Sequence, residues 1–340
     1  MATKLSTRAI LLSLFLGLAV FTGKPVATHG GGTKDAVADK VRKIVATAIQ
    51  DNPGVGPALI RLLFHDCWVQ GCDGSVLLDG SKTEKAAKNN IGLDGFAVID
   101  EIKAKVGEDV SCADIVVLAA RDATFIVSRG KIDYNVTMGR MDGVKSSAAA
   151  ADAVLPPSTF NITQLNANFA AKGFNTRELV ALSGAHAVGV AHRSSFQDRL
   201  DNATATPIVP KYRKALTDDV EKQKKLQGTQ DPIEPNNIRD KELAFRNASG
   251  YDDTGVDTSK AARGVLDNSY YHANLQNKVL FRSDWELRND TTGVAGGVMA
   301  TFEANANKWF LQFGNAMAKL SKLPAEGTRF EIRKNCRKNN

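Results

Sequence analysis

The sequence predicts a mainly α-helical protein, and three observations predict it. Apolar residues recur at helical spacing through most segments between residues 36 and 321, one stretch alone reads as a strand, and no repeat or proline-rich linker divides the chain. With 340 residues, 43% hydrophobic and 24% charged, the chain can bury a sizeable core and is too apolar for a disordered polymer.

The N-terminus places Lys4 and Arg8 before an apolar segment from Ala9 to about Phe21, followed by small residues. This is the pattern of a secretory signal peptide over residues 1–30, with cleavage expected between about Gly23 and Gly32; a short buried helix is the alternative. No uninterrupted apolar run reaches the roughly 20 residues needed to cross a bilayer, so no membrane role is expected. Loss of Lys4, Arg8 and Lys24 lowers the formal charge from +7 to +4. So mild a basic bias, without a Lys/Arg cluster or aromatic platform, predicts no nucleic-acid partner. Export also turns the four cysteines into two disulfides, with three pairings open. Sequons at Asn135, Asn161, Asn202, Asn247 and Asn289 fit a secreted glycoprotein.

Along the mature chain the period predicts helices over 36–51, from 59 onward, and over 95–106, 111–128, 162–173 and 175–190. A last long helix is expected over 297–321, where Phe302, Ala306, Trp309, Phe313, Met317 and Leu320 form one buried face. The stretch "KIDYNVTMGR" is expected as one arm of a small β-hairpin. Residues 201–240 carry Pro207, Pro210, Pro232 and Pro235 and read as surface connections around a short amphipathic helix, with no chemistry assigned.

The chemistry concentrates in "LIRLLFHDCWVQGCDGSVLLDG", residues 59–80. On a helix Arg61 and His65 are one turn apart and project into the same space. Beyond them Asp66, Asp73 and Ser75 offer side-chain oxygens, with the carbonyls of Val69 and Gly71 between, a hard-donor set suited to Ca²⁺. The rival is Zn²⁺ on Cys67, Cys72 and His65; it lacks the second ligand pair of a structural zinc module, and export favours a disulfide. A second centre is "ELVALSGAHAVGVAH". There His186 stands among small apolar residues, as a core histidine does and as a proximal haem ligand does. For the second role it needs an acceptor on its other nitrogen, and Asp284 in "VLFRSDWEL" stands out.

Together these stretches resemble the secreted plant haem peroxidases, class III. "RLLFHDCWVQGCDGSVLLD" is similar to that family's distal helix and calcium loop, "VSCADIVVLAARD" to its next long helix, and "LVALSGAHAVG" to its proximal-histidine motif. "LDNSYYHANL" with "RSDWEL" is similar to its late proximal segment and "FEIRKNCRKNN" to its C-terminus; the resemblance runs from about residue 34 to the end. It implies a haem peroxidase fold over 31–340 in which a distal half, about 34–155, and a proximal half, about 156–340, sandwich haem b. It also implies that Arg61 and His65 are the distal catalytic pair, that Asn90 accepts a hydrogen bond from His65, and that His186 is the axial iron ligand held by Asp284. Phe64 stands where related intracellular peroxidases carry Trp, Pro156 falls where the family contacts aromatic donors, and Glu84 lies behind the distal calcium ligands. Asp114 and Arg140 are implied as a structural pair, and the disulfides as Cys67–Cys72 and Cys112–Cys336.

The chain departs from the family in two respects. The family has eight cysteines; the missing partners would fall near Lys34 and Val106, and near Arg193 and "KKLQG", which should leave the N-terminal segment and the 190–230 region less restrained. The proximal calcium site looks short of ligands: Ala187 follows His186, and Asp257, Thr258, Ser259 and Asp267 remain as candidates. His29, His192 and His272 read as hydrogen-bonding residues. The expected function is a secreted, extracellular, monomeric peroxidase of the cell wall. It would reduce hydrogen peroxide and oxidise small phenolic donors, in phenolic polymerisation or peroxide removal. A catalytically silent haem-binding protein of the same fold, and a calcium- or zinc-binding adhesion protein without haem, are the alternatives.

Overall fold

The structure is a computed structural model and describes residues 32–202, 204–227, 230–240 and 264–340. The predicted signal peptide, His29, Asn247 and the candidate ligands Asp257, Thr258 and Ser259 lie outside them. The first half holds α1 (Gly32–Asp51), α2 (Val55–Gln70), α3 (Phe96–Val106), α4 (Cys112–Val127), strand β1 (Asp142–Gly143) and α5 (Ala148–Val154). The second holds α6 (Ile162–Ala171), α7 (Thr176–Ser183), β2 (Val190–His192), α8 (Gln197–Asp201), α9 (Pro210–Gln227) and β3 (Ile233–Pro235). It ends with α10 (Ser269–Leu275), α11 (Arg282–Glu286), α12 (Val294–Ala304), α13 (Ala306–Leu320) and β4 (Phe330–Glu331).

The hub of the first half is α4, against which α1, α2 and α3 all pack. Ser111 starts it by accepting the Asp114 N–H at 3.1 Å, and every residue of it except Phe125 and Ile126 is buried. A helix enclosed on all sides must neutralise its own charges. Asp114 therefore accepts from the Gly139 and Arg140 backbone at 2.6 and 3.2 Å and from Arg140 Nη1 at 2.9 Å. Asp122 takes Arg121 at 2.8 Å and Arg42 at 3.0 Å. The expected Asp114–Arg140 pair is thus present. In the second half α7 packs against α12 and α13 around Trp309 and Phe313.

Four local expectations are corrected. The helix over 297–321 is two helices, because Asn305 leaves the helical region (φ −146°, ψ 95°) and caps α13 by accepting the Lys308 N–H. Residues 131–140 pair with nothing as a strand: the N–H groups of Gly139 and Arg140 are spent on Asp114. Among the described residues the only pairing nearby joins β1 to β4, Asp142 opposite Glu331, more than half the chain apart, so no hairpin forms there. The helix over 175–190 stops at Ser183 and continues as a 3₁₀ turn, Gly184–Ala187, before β2. Gly184 permits this, since a Cβ there would lie 2.6 Å from Trp309 Nε1 and 2.7 Å from the Tyr271 hydroxyl. Helix α9 also runs longer than a short connection needs, because Tyr212, Leu216 and Val220 bury one continuous face.

Both disulfides join the partners that the resemblance implied, Cys67–Cys72 and Cys112–Cys336. The second fixes the C-terminus to the start of α4. There the fully buried Arg333 and Asp142 complete a knot: Asp142 accepts from Cys112, Ala113 and Arg333 N–H groups, and Arg333 Nη2 donates to the Gly74 carbonyl at 2.5 Å. The long bridge spans 224 residues and the short one 5. In the chain-entropy account the constraint on the unfolded chain is about 5 kcal/mol for the former and about 2 kcal/mol for the latter. Replacing Cys112 and Cys336 together by Ser is expected to lower Tm well beyond the matching change at Cys67 and Cys72. Equal losses in a calorimetric comparison would refute that account.

Candidate active site

Helix α2 carries Arg61, Phe64 and His65, and a 3₁₀ turn, Lys88–Asn90, brings Asn90 to the far side of the imidazole. His65 Nδ1 donates to Asn90 Oδ1 at 2.5 Å. The amide orientation is fixed, because Asn90 Nδ2 donates to the Glu84 carbonyl at 2.7 Å. The proton of a neutral His65 therefore sits on Nδ1 and the lone pair on Nε2. Burial, reinforced by the Arg61 charge and opposed by the Asn90 bond, pushes the His65 pKa down to about 3. Arg61 Nε donates to His65 Nε2 at 3.1 Å, and Nη2 donates to the Asn89 carbonyl at 3.1 Å. Burial lowers its pKa to about 10, so it stays charged at neutral pH. Phe64 lies edge-on to His65 at 5.9 Å and stacks on Trp68 at 4.7 Å, which continues into Phe169 and Phe174.

Below this pair lies a buried acidic loop. Asp66 accepts the Gly74 and Val76 N–H groups at 3.0 and 3.4 Å, and Asp73 accepts that of Ser75 at 2.9 Å. Burial pushes the Glu84 carboxyl up to about 8 and that of Asp73 to about 6, and burial with repulsion from Asp73 and Glu84 raises Asp66. Ser75 Oγ lies beside Asp73 and Glu84 and lowers both, yet neither it nor Glu84 Oε2 completes a hydrogen bond. Gly143 is required here, for a Cβ would lie 2.1 Å from Asp73 Oδ2. Among the described residues no three His, Cys, Asp or Glu side chains could hold a metal unaided. The Val69 and Gly71 carbonyls and the Ser75 hydroxyl would have to complete any cation site. The zinc alternative is removed, since Cys67 and Cys72 are bonded to each other.

On the opposite side His186 sits in the 3₁₀ turn after α7. Its Nδ1 is 2.9 and 3.1 Å from the two oxygens of Asp284, which is 3% exposed and accepts a further bond from the Tyr270 hydroxyl at 2.9 Å. Phe281 stands edge-on to the ring at 5.0 Å. With Nδ1 committed, Nε2 keeps its lone pair, and the side chain is 38% exposed although its partner is buried. That donor set fits an axial haem iron ligand.

Three contacts bring the two sides together. Gly189 packs on Pro57, where a Cβ would approach within 3.1 Å, and His192 Nε2 stands against Gly92. The turn holding Pro156, half-buried, links both sides: the Leu155 carbonyl accepts from Asn89 at 3.4 Å and the Ser158 carbonyl from Ser283 at 2.7 Å. His192 Nδ1 lies 3.9 Å from Asp231 and His272 Nδ1 3.5 Å from Glu303, and neither nitrogen completes the hydrogen bond expected of it.

Sequence reasoning missed two groups. Tyr270 was visible only as part of "NSYYHANL", and nothing local marks its bond to Asp284. Asn236, Asn237 and Arg239, in a segment given no chemistry, grip the backbone after His186. Asn236 Nδ2 donates to the Val188 carbonyl at 3.0 Å, while Asn237 Nδ2 and Arg239 Nη2 donate to that of Ala187 at 3.3 and 3.4 Å. Asp267, an expected calcium ligand, accepts instead from Arg239 at 2.6 Å on both oxygens.

A profile of the family described as Peroxidase matches residues 41–304. The chain is 35% identical over 308 residues to Peroxidase RIP1 of Medicago truncatula, covering 88% of this chain and 86% of that protein. It is 38% identical over 324 residues to Peroxidase 5 of Vitis vinifera, covering 91% and 88%. To Peroxidase 22.3 of Oryza sativa subsp. japonica it is 34% identical over 345 residues, covering 100% and 99%. These similarities give the catalytically silent alternative no support. The chain belongs to the plant haem peroxidase family, class III, and is a haem peroxidase acting on hydrogen peroxide.

Proposed function

We propose that His65, Arg61 and Asn90 carry the peroxide chemistry, that His186 with Asp284 holds the haem iron, and that small phenols meeting the protein near Pro156 are the donors. The observation that carries this reading is the bond from His65 Nδ1 to Asn90 Oδ1, because it leaves Nε2 as the base. Haem b supplies the iron at which peroxide is reduced and the oxidising equivalents are held. His65 Nε2 takes the proton of the nearer peroxide oxygen and returns it to the departing one, which leaves as water. Arg61 stabilises the negative charge on that oxygen as the O–O bond lengthens. It first leaves His65 Nε2, which it occupies in the resting arrangement. Asp284, by accepting from His186 Nδ1, makes the imidazole a stronger electron donor. Two phenols each give up one electron and one proton, so that one peroxide and two phenols become two waters and two phenoxyl radicals.

Calcium in the distal loop is part of the proposal, with Asp66, Asp73, Ser75 and the Val69 and Gly71 carbonyls as donors and Glu84 behind them. It is supported by the unpartnered Ser75 and Glu84 oxygens and by the crowding of buried carboxyls. Secretion is supported by the N-terminal pattern, by two disulfides without a free cysteine among the described residues, and by exposed sequon residues Asn135, Asn202 and Asn289. No helix of the described residues is long and apolar enough to cross a membrane.

His65→Ala is expected to slow guaiacol oxidation about 10²–10⁴-fold, whereas an unchanged rate sinks the assignment. The pKa of His65 near 3 lies below the ordinary value of about 6.5. Stopped-flow rates with peroxide should therefore stay flat from about pH 8 to about pH 5 and fall only toward pH 3; a midpoint near 6.5 contradicts this. Stability has the same sign. Below about 6.5 the unfolded chain takes up a proton that the folded chain refuses until about 3, so this group removes about 3 kcal/mol by about pH 4. Chelation with EGTA is expected to lower Tm and peroxide reactivity together, and Asp73→Asn should remove the response to added Ca²⁺. A chelator-insensitive wild type would exclude distal calcium.

A further inference from the structure

Arg239 is among the largest fully buried side chains of the protein, and its surroundings are almost entirely oxygen. Nη1 donates to both oxygens of Asp267 at 2.6 Å and to Ser269 Oγ at 2.7 Å. Nη2 donates to the Val265 carbonyl at 2.8 Å and the Ala187 carbonyl at 3.4 Å, and Nε to Asp240 Oδ1 at 3.2 Å. Carboxylates, carbonyls and a hydroxyl converging on one buried positive charge form the environment that a hard divalent cation seeks. Here the charge is covalently attached. We infer that the Arg239 guanidinium is a built-in replacement for a proximal metal ion, and that the proximal half takes no calcium.

The position gives the replacement its purpose. Ala187 directly follows His186, and Ser269 directly precedes Tyr270, whose hydroxyl bonds Asp284. One guanidinium thus ties the turn of the axial histidine to the helix that supports its carboxylate partner. Asn237 repeats the link, donating to the Ala187 carbonyl and to Ser269 Oγ at 2.7 Å. A bound ion dissociates at low concentration or under chelation; a side chain does not. Guanidinium is also charged at any pH the protein meets. Arg239 is a positioning residue, acting through Ala187 and Asp267 and touching no reactant. The consequence for His186 rests on its reading as the axial ligand.

The test uses the holoprotein. After exhaustive removal of loosely bound metal, elemental analysis should find at most one Ca²⁺ per chain; two per chain overturn the inference. Arg239→Ala opens the oxygen cage and should weaken and broaden the ferrous iron–histidine stretch in the resonance Raman spectrum. Millimolar Ca²⁺ or guanidinium should restore it, and neither should do so in Arg239→Ala/Asp267→Asn. An Arg239→Ala protein with the wild-type stretch, or one that no cation rescues, overturns the proposal. If that variant does not fold, Arg239→Lys keeps a charge of shorter reach and should give a stretch weaker and broader than that of wild type; an unchanged stretch would count against the clamp. Should wild type take up no haem, the haem reading fails on its own. The calcium count and a Ca²⁺-dependent rise in Tm larger in the Arg239→Ala variant than in wild type then still decide this inference.

Discussion

The bond from His65 Nδ1 to the Asn90 side-chain oxygen decides which nitrogen of a buried imidazole is basic, and much of the distal half exists to hold it. Asn90 is oriented by the Glu84 carbonyl, Asn89 beside it is tied to Asp152 and Leu155, and Glu84 packs over the acidic loop. That loop is closed by Cys67–Cys72 and braced by Arg333, whose guanidinium reaches Gly74 from the far end of the chain. Apart from Ser75 Oγ, Glu84 Oε2 and Arg333 Nε, each step is a polar group with an assigned partner. In a buried setting that is the condition for a single geometry, since an unpaired donor or acceptor there costs about 1–3 kcal/mol.

The proximal side meets the same requirement with stronger chemistry. A carboxylate rather than an amide fixes Nδ1 of His186, and Tyr270 shares the load on the same oxygen. On the proposed reading the contrast reflects the different task of each imidazole. There His65 takes up and gives back a proton within one turnover, with a neutral partner and a low pKa. In the same reading His186 keeps donating electron density, with an anion as its partner. The distal histidine is buried and the proximal one half-open, which matches a base shielded from solvent and a ligand facing a large planar group.

Much of this was legible in the sequence because it is local. Arg61 and His65 sit one helical turn apart, and a helix enforces the shared face whatever the rest of the chain does. The hydroxyl and carboxylates around Asp73 lie within ten residues of Asp66 and read as a loop of hard donors. The features that escaped depend on long-range partners or on a single side chain. The hairpin failed because Asp114, in another helix, captures the N–H groups that a strand would have used. The helix over 297–321 failed because a periodic apolar face does not register one Asn whose side chain caps the next helix. Arg239 escaped because its partners at 187, 240, 265, 267 and 269 meet only in the folded chain.

The loss of half the family's disulfides shows how such long-range bonding compensates. Near Arg193, where one bridge would stand, β2 pairs with β3, the Arg193 N–H donates to the Pro232 carbonyl at 2.7 Å, and Ser194 Oγ donates to Asp231 at 2.6 Å. Gln223 from α9 exchanges two bonds with the Ile233 backbone at 2.8 and 3.0 Å, so the 190–230 region is stitched where looseness was expected. Each such bond contributes about 1 kcal/mol net, against about 2–4 kcal/mol for a bridge, so the set is comparable in size but different in kind. A disulfide acts on the unfolded chain and persists when the region opens. Hydrogen bonds act only while the region is closed, so the proximal segment after His186 has been given order in the native state without a lasting constraint on its unfolding. Arg239, pinned to Asp267 and Ala187 from the same neighbourhood, is on the proposed reading the element that keeps this reversible stitching from reaching His186.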